Sequence, residues 1–101
     1  MSNDIEFLNT LEAIIGERLD ADSAKSYTAQ LAASGDKRVA QKVGEEAVEL
    51  ALAATAGDRE EQIDEAADLV FHLLVLLSTK DLSLTDVVAR LRERHEQANA
   101  P

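Results

Sequence analysis

With 101 residues, 46% of them apolar, the chain is sized for one small domain spanning residues 1–101, and is too short to bury all of its apolar surface without a second copy. A net charge of -10 and a pI near 4.5 exclude a binder of nucleic-acid phosphates, whose affinity rests on lysine and arginine. The absence of cysteine excludes disulfides, thiolate zinc sites and a cysteine nucleophile, and fits a cytoplasmic location.

The opening MSNDIEFLNT is acidic and lacks a basic region followed by an apolar one, so no signal peptide is expected. Apolar residues at Ile5, Leu8, Leu11, Ile14 and Ile15 have the spacing of one helical stripe and predict a first helix over 4–18. Asp22 or Ser23 can cap a shorter second helix through SAKSYTAQLAAS, and Ser34-Gly35-Asp36 supplies its stop and the next start. Helix formers then run from Asp36 to Ala56, with Val39, Ala40, Val43, Ala47, Leu50, Ala51 and Ala54 as a broad apolar face. Gly44 interrupts them at a cost of about 1 kcal/mol, which is either tolerated or marks a place of close packing.

Gly57-Asp58 ends that helix and starts another, with Asp58 as cap and Glu61 three residues on. Two long helices joined so briefly must lie antiparallel. The second, 59–79, begins acidic and continues as LVFHLLVLL, which is apolar nearly all round and therefore expected to be buried. That run falls far short of the roughly 18 residues of a membrane span. Ser83 with Asp86 caps a last helix over 84–97, whose Arg90, Arg92 and Arg94 suit a helix C-terminus. The fold class is all-α: a small bundle of four to five helices around a central antiparallel pair, expected to form a homodimer.

In KVGEEAVEL, Lys42, Glu45, Glu46 and Glu49 fall within an arc of roughly 100 degrees, turned away from most of the valine and alanine stripe. On the next helix Glu65 and Asp68 are neighbours, with Glu61 one turn before and His72 one turn after. The bland alternative is two solvated faces. However, Glu45/Glu49, Glu61/Glu65 and Asp64/Asp68 are repelling i,i+4 pairs, where an exposed helix would gain from a lysine. Asp68 runs straight into Leu69, Val70 and Phe71, so its charge is expected at the entrance to the core, where a cation would compensate it. Converging carboxylates without cysteine form a hard oxygen site of the kind that suits Mg2+ or Mn2+ and, through magnesium, substrate phosphates. Lys37, Arg38 and Lys42 at the start of the same helix can hold phosphate, or simply serve solubility.

KVGEEAVELALAA followed by EAADLVFHLLVLL resembles the all-α nucleoside triphosphate pyrophosphohydrolases of the MazG-like group, whose mark is EExxE, a spacer and ExxD. Glu45, Glu46 and Glu49 match the first half, Glu65 and Asp68 the second. SYTAQLAASGDKRVAQKVGEEAVE, GDREE, DLVFHLLVLL and SLTDVVARLRERH are similar to the phosphoribosyl-ATP pyrophosphohydrolase family, over about Phe7 to His95. The resemblance implies magnesium-dependent hydrolysis of phosphoribosyl-ATP to phosphoribosyl-AMP and pyrophosphate, in the second step of histidine biosynthesis, by a cytoplasmic homodimer. In some organisms this domain is fused to the next enzyme, a cyclohydrolase with cysteine ligands, which a chain without cysteine is not expected to carry.

On that resemblance Glu46, Glu49, Glu65 and Asp68 ligate Mg2+, while Glu45 either joins them or takes a proton from the attacking water, and Glu46 counts with Glu45 as catalytic. Lys37, Arg38 and Lys42 hold substrate phosphate. His72 is more simply a satisfied core residue than a catalyst, and Ser26, Tyr27 and Thr28 either touch substrate or cap and pack their helix. A carboxylate-bridged di-iron site wants two Glu-x-x-His pairs, yet Leu69 and Arg92 stand three residues before His72 and His95. The remaining rivals are a non-enzymatic helical interaction module and a house-cleaning hydrolase of ordinary or damaged nucleoside triphosphates.

Overall fold

A computed structural model of the chain describes residues 4–21 and 26–98. A single 3₁₀ turn, Asp4–Glu6, leads into α1 (Phe7–Leu19), followed by α2 (Tyr27–Ala33), α3 (Asp36–Ala56), α4 (Arg59–Thr79) and α5 (Leu84–Ala98). No strand occurs among the described residues, and none of the helices is long and apolar enough to cross a membrane.

Local chemistry sets the helix boundaries. Asp22 and Ser23, the expected caps of the second helix, lie outside the described residues; Ser26 caps it, its hydroxyl accepting from the Ala29 amide at 3.3 Å. Gly35, at φ 99°, turns the chain into α3 through a conformation that favours glycine. At the α3–α4 turn, Asp58 Oδ1 accepts from the Glu61 amide at 2.9 Å. Gly57 is required there for a steric reason, since a Cβ would come within 2.9 Å of the Ala53 carbonyl oxygen. Ser83 and Asp86 cap α5 reciprocally, each side chain accepting from the other's amide at 3.2 and 2.9 Å.

The α3–α4 hairpin is the most extensively packed pair, and Lys80 Nζ meets Asp36 Oδ2 at 2.7 Å across its open end. Ile15 of α1, Leu31 of α2, Val39 of α3 and Leu74 and Val75 of α4 form the buried core, with Leu8, Leu11, Phe71, Leu76 and Leu84 packed around it. These residues gather at the open end. Among the described residues the core cluster takes nothing from α3 beyond Val39 or from α4 before Phe71, and Glu46, Glu49, Glu65 and Asp68 lie on the turn side of these.

Two expectations fail here. In α3 the residues that turn inward are Val39, Glu46 and Ala53, seven apart, whereas Ala40, Ala47, Ala51 and Ala54 are exposed. A seven-residue seam is what two helices crossing at a shallow angle bury, and alanine contributes too little apolar area to override it. The carboxylate row does not turn away from the packed face, because Glu46 is part of that face. Gly44, either tolerated in its helix or a place of close packing, has nothing of this chain within 4 Å of where its Cβ would stand.

The run LVFHLLVLL is only partly buried. His72, Leu74 and Val75 are enclosed, most of the others are half-buried, and Val70 is exposed. Helix α5 is tied at its start by the Leu84 amide, which donates to Glu12 Oε2 of α1 at 2.6 Å. Beyond Val87 its residues to Gln97 are exposed, Val88 and Leu91 among them, and the molecule measures 53 × 34 × 34 Å.

Candidate active site

Glu46 and Glu49 of α3 and Glu65 of α4 each offer a carboxylate oxygen, and these three oxygens lie within 4.8 Å of one another. Glu46 is 6% exposed, Glu65 half-buried and Glu49 exposed, so the cluster grades from the helix seam to solvent. Glu65 and His72 continue the pattern on α4, again seven residues apart.

A group of acids this close repels itself. Glu65 is pushed up to about 7, first by a hydrogen bond with Glu49 that requires a proton on Glu65, then by burial, and then by the charges of Glu49, Glu46 and Asp68. The oxygens Glu46 Oε2 and Glu65 Oε2 are both buried without a hydrogen-bond partner. Unpartnered buried acceptors are costly, and here two of them share a cluster of hard oxygen donors. These residues fit a divalent cation: it would take up both orphaned oxygens and replace the proton on Glu65. The cluster can hold a metal ion.

The remaining candidates divide around it. Glu45 stands outside the trio, on the cationic side: Gln41 Nε2 donates to its Oε1 at 2.8 Å, Arg38 Nη1 lies 3.6 Å from Oε1, and Lys42 Nζ lies 3.9 Å from Oε2. Lys42 also reaches Glu46 Oε1 at 3.5 Å and so bridges the two acids. Lys37 is exposed one turn earlier and forms no ion pair with them among the described residues. Asp68 is exposed rather than at the entrance to the core, and its carboxylate is not one of the three converging groups. The inward positions of α4 here are Glu65 and His72, seven apart, and Asp68 stands to the side of that line.

His72, 6% exposed, has both ring nitrogens engaged. Nδ1 lies 2.8 Å from the Asp68 carbonyl oxygen, which only accepts, so Nδ1 carries a proton. Nε2 lies 2.8 Å from the Tyr27 hydroxyl. Tyr27 stacks on Phe71 at 6.3 Å and meets the His72 ring edge-on at 5.9 Å. Ser26 caps and Thr28 is buried in α2, which leaves Tyr27 as the residue of that trio joined to the site. This link between residues 45 positions apart has no periodic signature in the sequence; the Gln41–Glu45 bond, at i,i+4, had one.

Two grooves meet at Glu49. One of about 320 Å³ runs toward the turn between Leu52, Ala53, Ala56, Gly57, Glu61 and Glu65. The other, about 640 Å³ and wide open, lies beside Gln41, Gly44, Glu45 and Val48. The first borders two of the three converging carboxylates, Glu49 and Glu65, and the second borders Glu49.

The phosphoribosyl-ATP pyrophosphohydrolase (PRA-PH) family matches residues 8–95. The histidine biosynthesis bifunctional protein HisIE of Yersinia pestis is 59% identical over 96 residues, which is 95% of this chain and 47% of that protein. The HisIE proteins of Salmonella typhi and Pasteurella multocida are 61% and 62% identical over 90 and 89 residues, 89% and 88% of this chain and 44% of each relative. The chain thus spans less than half the length of these relatives.

Proposed function

The chain belongs to the phosphoribosyl-ATP pyrophosphohydrolase family, and from that premise we propose that it hydrolyses phosphoribosyl-ATP to phosphoribosyl-AMP and pyrophosphate, in histidine biosynthesis, with Mg2+ held by Glu46, Glu49, Glu65 and Asp68. The observation that carries this reading is the trio of carboxylates converging from two antiparallel helices with two buried oxygens left unpartnered.

When bound, magnesium supplies neutralisation of phosphate-oxygen charge and a lowered pKa for bound water. The protein's own residues do the rest. Glu46, Glu49 and Glu65 give up the shared proton and present oxygens, and Asp68 adds a fourth carboxylate from the exposed side. Lys42 and Arg38, now partnered by Glu45, exchange that carboxylate for phosphate oxygens of the substrate, with Lys37 reaching the chain of phosphates from the first turn of α3. Glu45, released by Lys42 and Arg38 and still bonded to Gln41 Nε2, would take the proton of the attacking water as the α–β phosphoanhydride bond breaks.

The active form is a cytoplasmic homodimer. Val48 and Leu52 on the outer side of α3 are 60% and 63% exposed, and Ala40, Gly44, Ala47 and Ala51 extend the same small-residue surface. A second copy laid there fills a surface that one chain of this length leaves bare.

Turnover of phosphoribosyl-ATP, ATP and dCTP by the purified protein with Mg2+, read as pyrophosphate, tests the assignment. At least tenfold higher kcat/KM for phosphoribosyl-ATP supports it. Equal rates on ATP or dCTP move the reading to a house-cleaning hydrolase, and absence of turnover on all three overturns it.

A further inference from the structure

Glu46 is held by only one of its oxygens. Oε1 has Lys42 Nζ at 3.5 Å and His72 Nδ1 at 3.9 Å, while Oε2 has no partner. The imidazole beside it is not free to turn. The Asp68 carbonyl demands a proton on Nδ1, which leaves Nε2 of a neutral ring as an acceptor, and the Tyr27 hydroxyl donates to it at 2.8 Å. Phe71, edge-on to the ring at 5.2 Å, and Tyr27, edge-on at 5.9 Å, bound it on two sides. A core histidine needs only to be satisfied. This one donates its N–H to the Asp68 carbonyl and is thereby fixed with that edge of the ring 3.9 Å from a buried carboxylate.

We propose that Tyr27 and His72 form a positioning pair for Glu46: the Tyr27 hydroxyl on α2 and the Asp68 carbonyl fix the tautomer and tilt of the imidazole on α4, and the ring edge so fixed stands 3.9 Å from Oε1 of Glu46 and confines that side of the carboxylate, so that Oε2 is left to bind the divalent cation. The proposal rests on the metal site described above. It gives α2, which supplies no carboxylate, a part in that site, and explains why a half-exposed tyrosine spends its hydroxyl on a buried ring rather than on water. Outer-shell partners of this kind tune metal affinity by roughly 10–100-fold.

The test is calorimetric titration of Mn2+ into the purified protein without substrate, at pH 8, together with thermal unfolding of each variant. Tyr27→Phe keeps the ring contacts and removes one hydroxyl; it is expected to raise the Kd for Mn2+ about tenfold. His72→Asn puts an amide N–H close to the place of Nδ1 and is expected to stay within about threefold of wild type, whereas His72→Gln and His72→Leu lose about tenfold or more. A merely structural histidine predicts another order, in which affinity follows the unfolding midpoint whatever the donor. Wild-type affinity in Tyr27→Phe, or His72→Asn binding no better than His72→Gln, overturns the pair. Absence of saturable Mn2+ binding in the wild type overturns the metal site itself.

Discussion

Glu65 of α4 and Glu49 of α3 bring carboxylate oxygens within 4.8 Å of each other, and that approach pushes the Glu65 carboxyl up to about 7. Two carboxylates facing each other from antiparallel helices are an unfavourable pair unless something positive lies between them. In the metal-free protein a proton does this; in the proposed active form a divalent ion would take its place.

Metal binding is therefore expected to release a proton and to weaken as pH falls through 7, because below that value the cation competes with a proton for Glu65. Titrations at pH 6 and pH 8, in buffers of different ionisation enthalpy, check this. The affinity should drop about tenfold toward pH 6, with close to one proton released per site there and fewer at pH 8. Equal affinity at both pH values contradicts the shared proton.

The same proton governs the stability of the metal-free protein. Glu65 binds its proton more tightly folded than unfolded, where a glutamate titrates near 4.3. Between that value and about 7 the native state holds more protons, so stability is greatest at the acid side and declines as pH rises toward 7 and beyond. Urea unfolding in EDTA at pH 5.5 and pH 8 should show a lower midpoint at pH 8. Glu65→Gln should shrink the difference by stabilising the protein at the higher pH; an unchanged pH dependence in that variant refutes the assignment.

Substitutions within the carboxylate set separate ligands from bystanders. Glu46→Gln and Glu49→Gln should lower kcat/KM by more than about 100-fold, beyond the usual loss from an outer partner. Asp68→Asn should do the same with its fold intact, while Asp64→Asn, exposed one turn earlier on the same helix, should stay within about twofold. Asp68→Asn retaining most activity would remove Asp68 from the ligand set and leave the three converging glutamates.

Packing gives a contrast between two leucines. Leu74 is 1% exposed in the core, so Leu74→Ala should cost about 2–5 kcal/mol in chemical unfolding. Leu52 is exposed in the single chain, and Leu52→Asp should leave monomer stability within about 0.5 kcal/mol but shift sedimentation equilibrium toward monomer. A variant that sediments like the wild type argues against the α3 face as the dimer contact.

Much of this was readable in the sequence because it depends on neighbours along the chain. Asp58 with Glu61 and Ser83 with Asp86 are caps three residues apart, and both form as read. The carboxylate rows were visible for the same reason. The face that α3 buries was not, because a stripe of alanines has the same period whether it packs on this chain or faces outward, and Glu46 was placed on the outside when the seam takes it in. Asp68 was read from the apolar run that follows it, although the helix turns its side chain to solvent. The Tyr27–His72 bond depends on where α2 docks, and no spacing encodes that.

Anomalous diffraction at the manganese edge, from crystals of the protein grown at pH 8 with Mn2+, addresses the central claim most directly. The predicted result is a peak between α3 and α4 with oxygens of Glu46, Glu49 and Glu65 at about 2.0–2.2 Å from it. A peak bound elsewhere, or none, contradicts it.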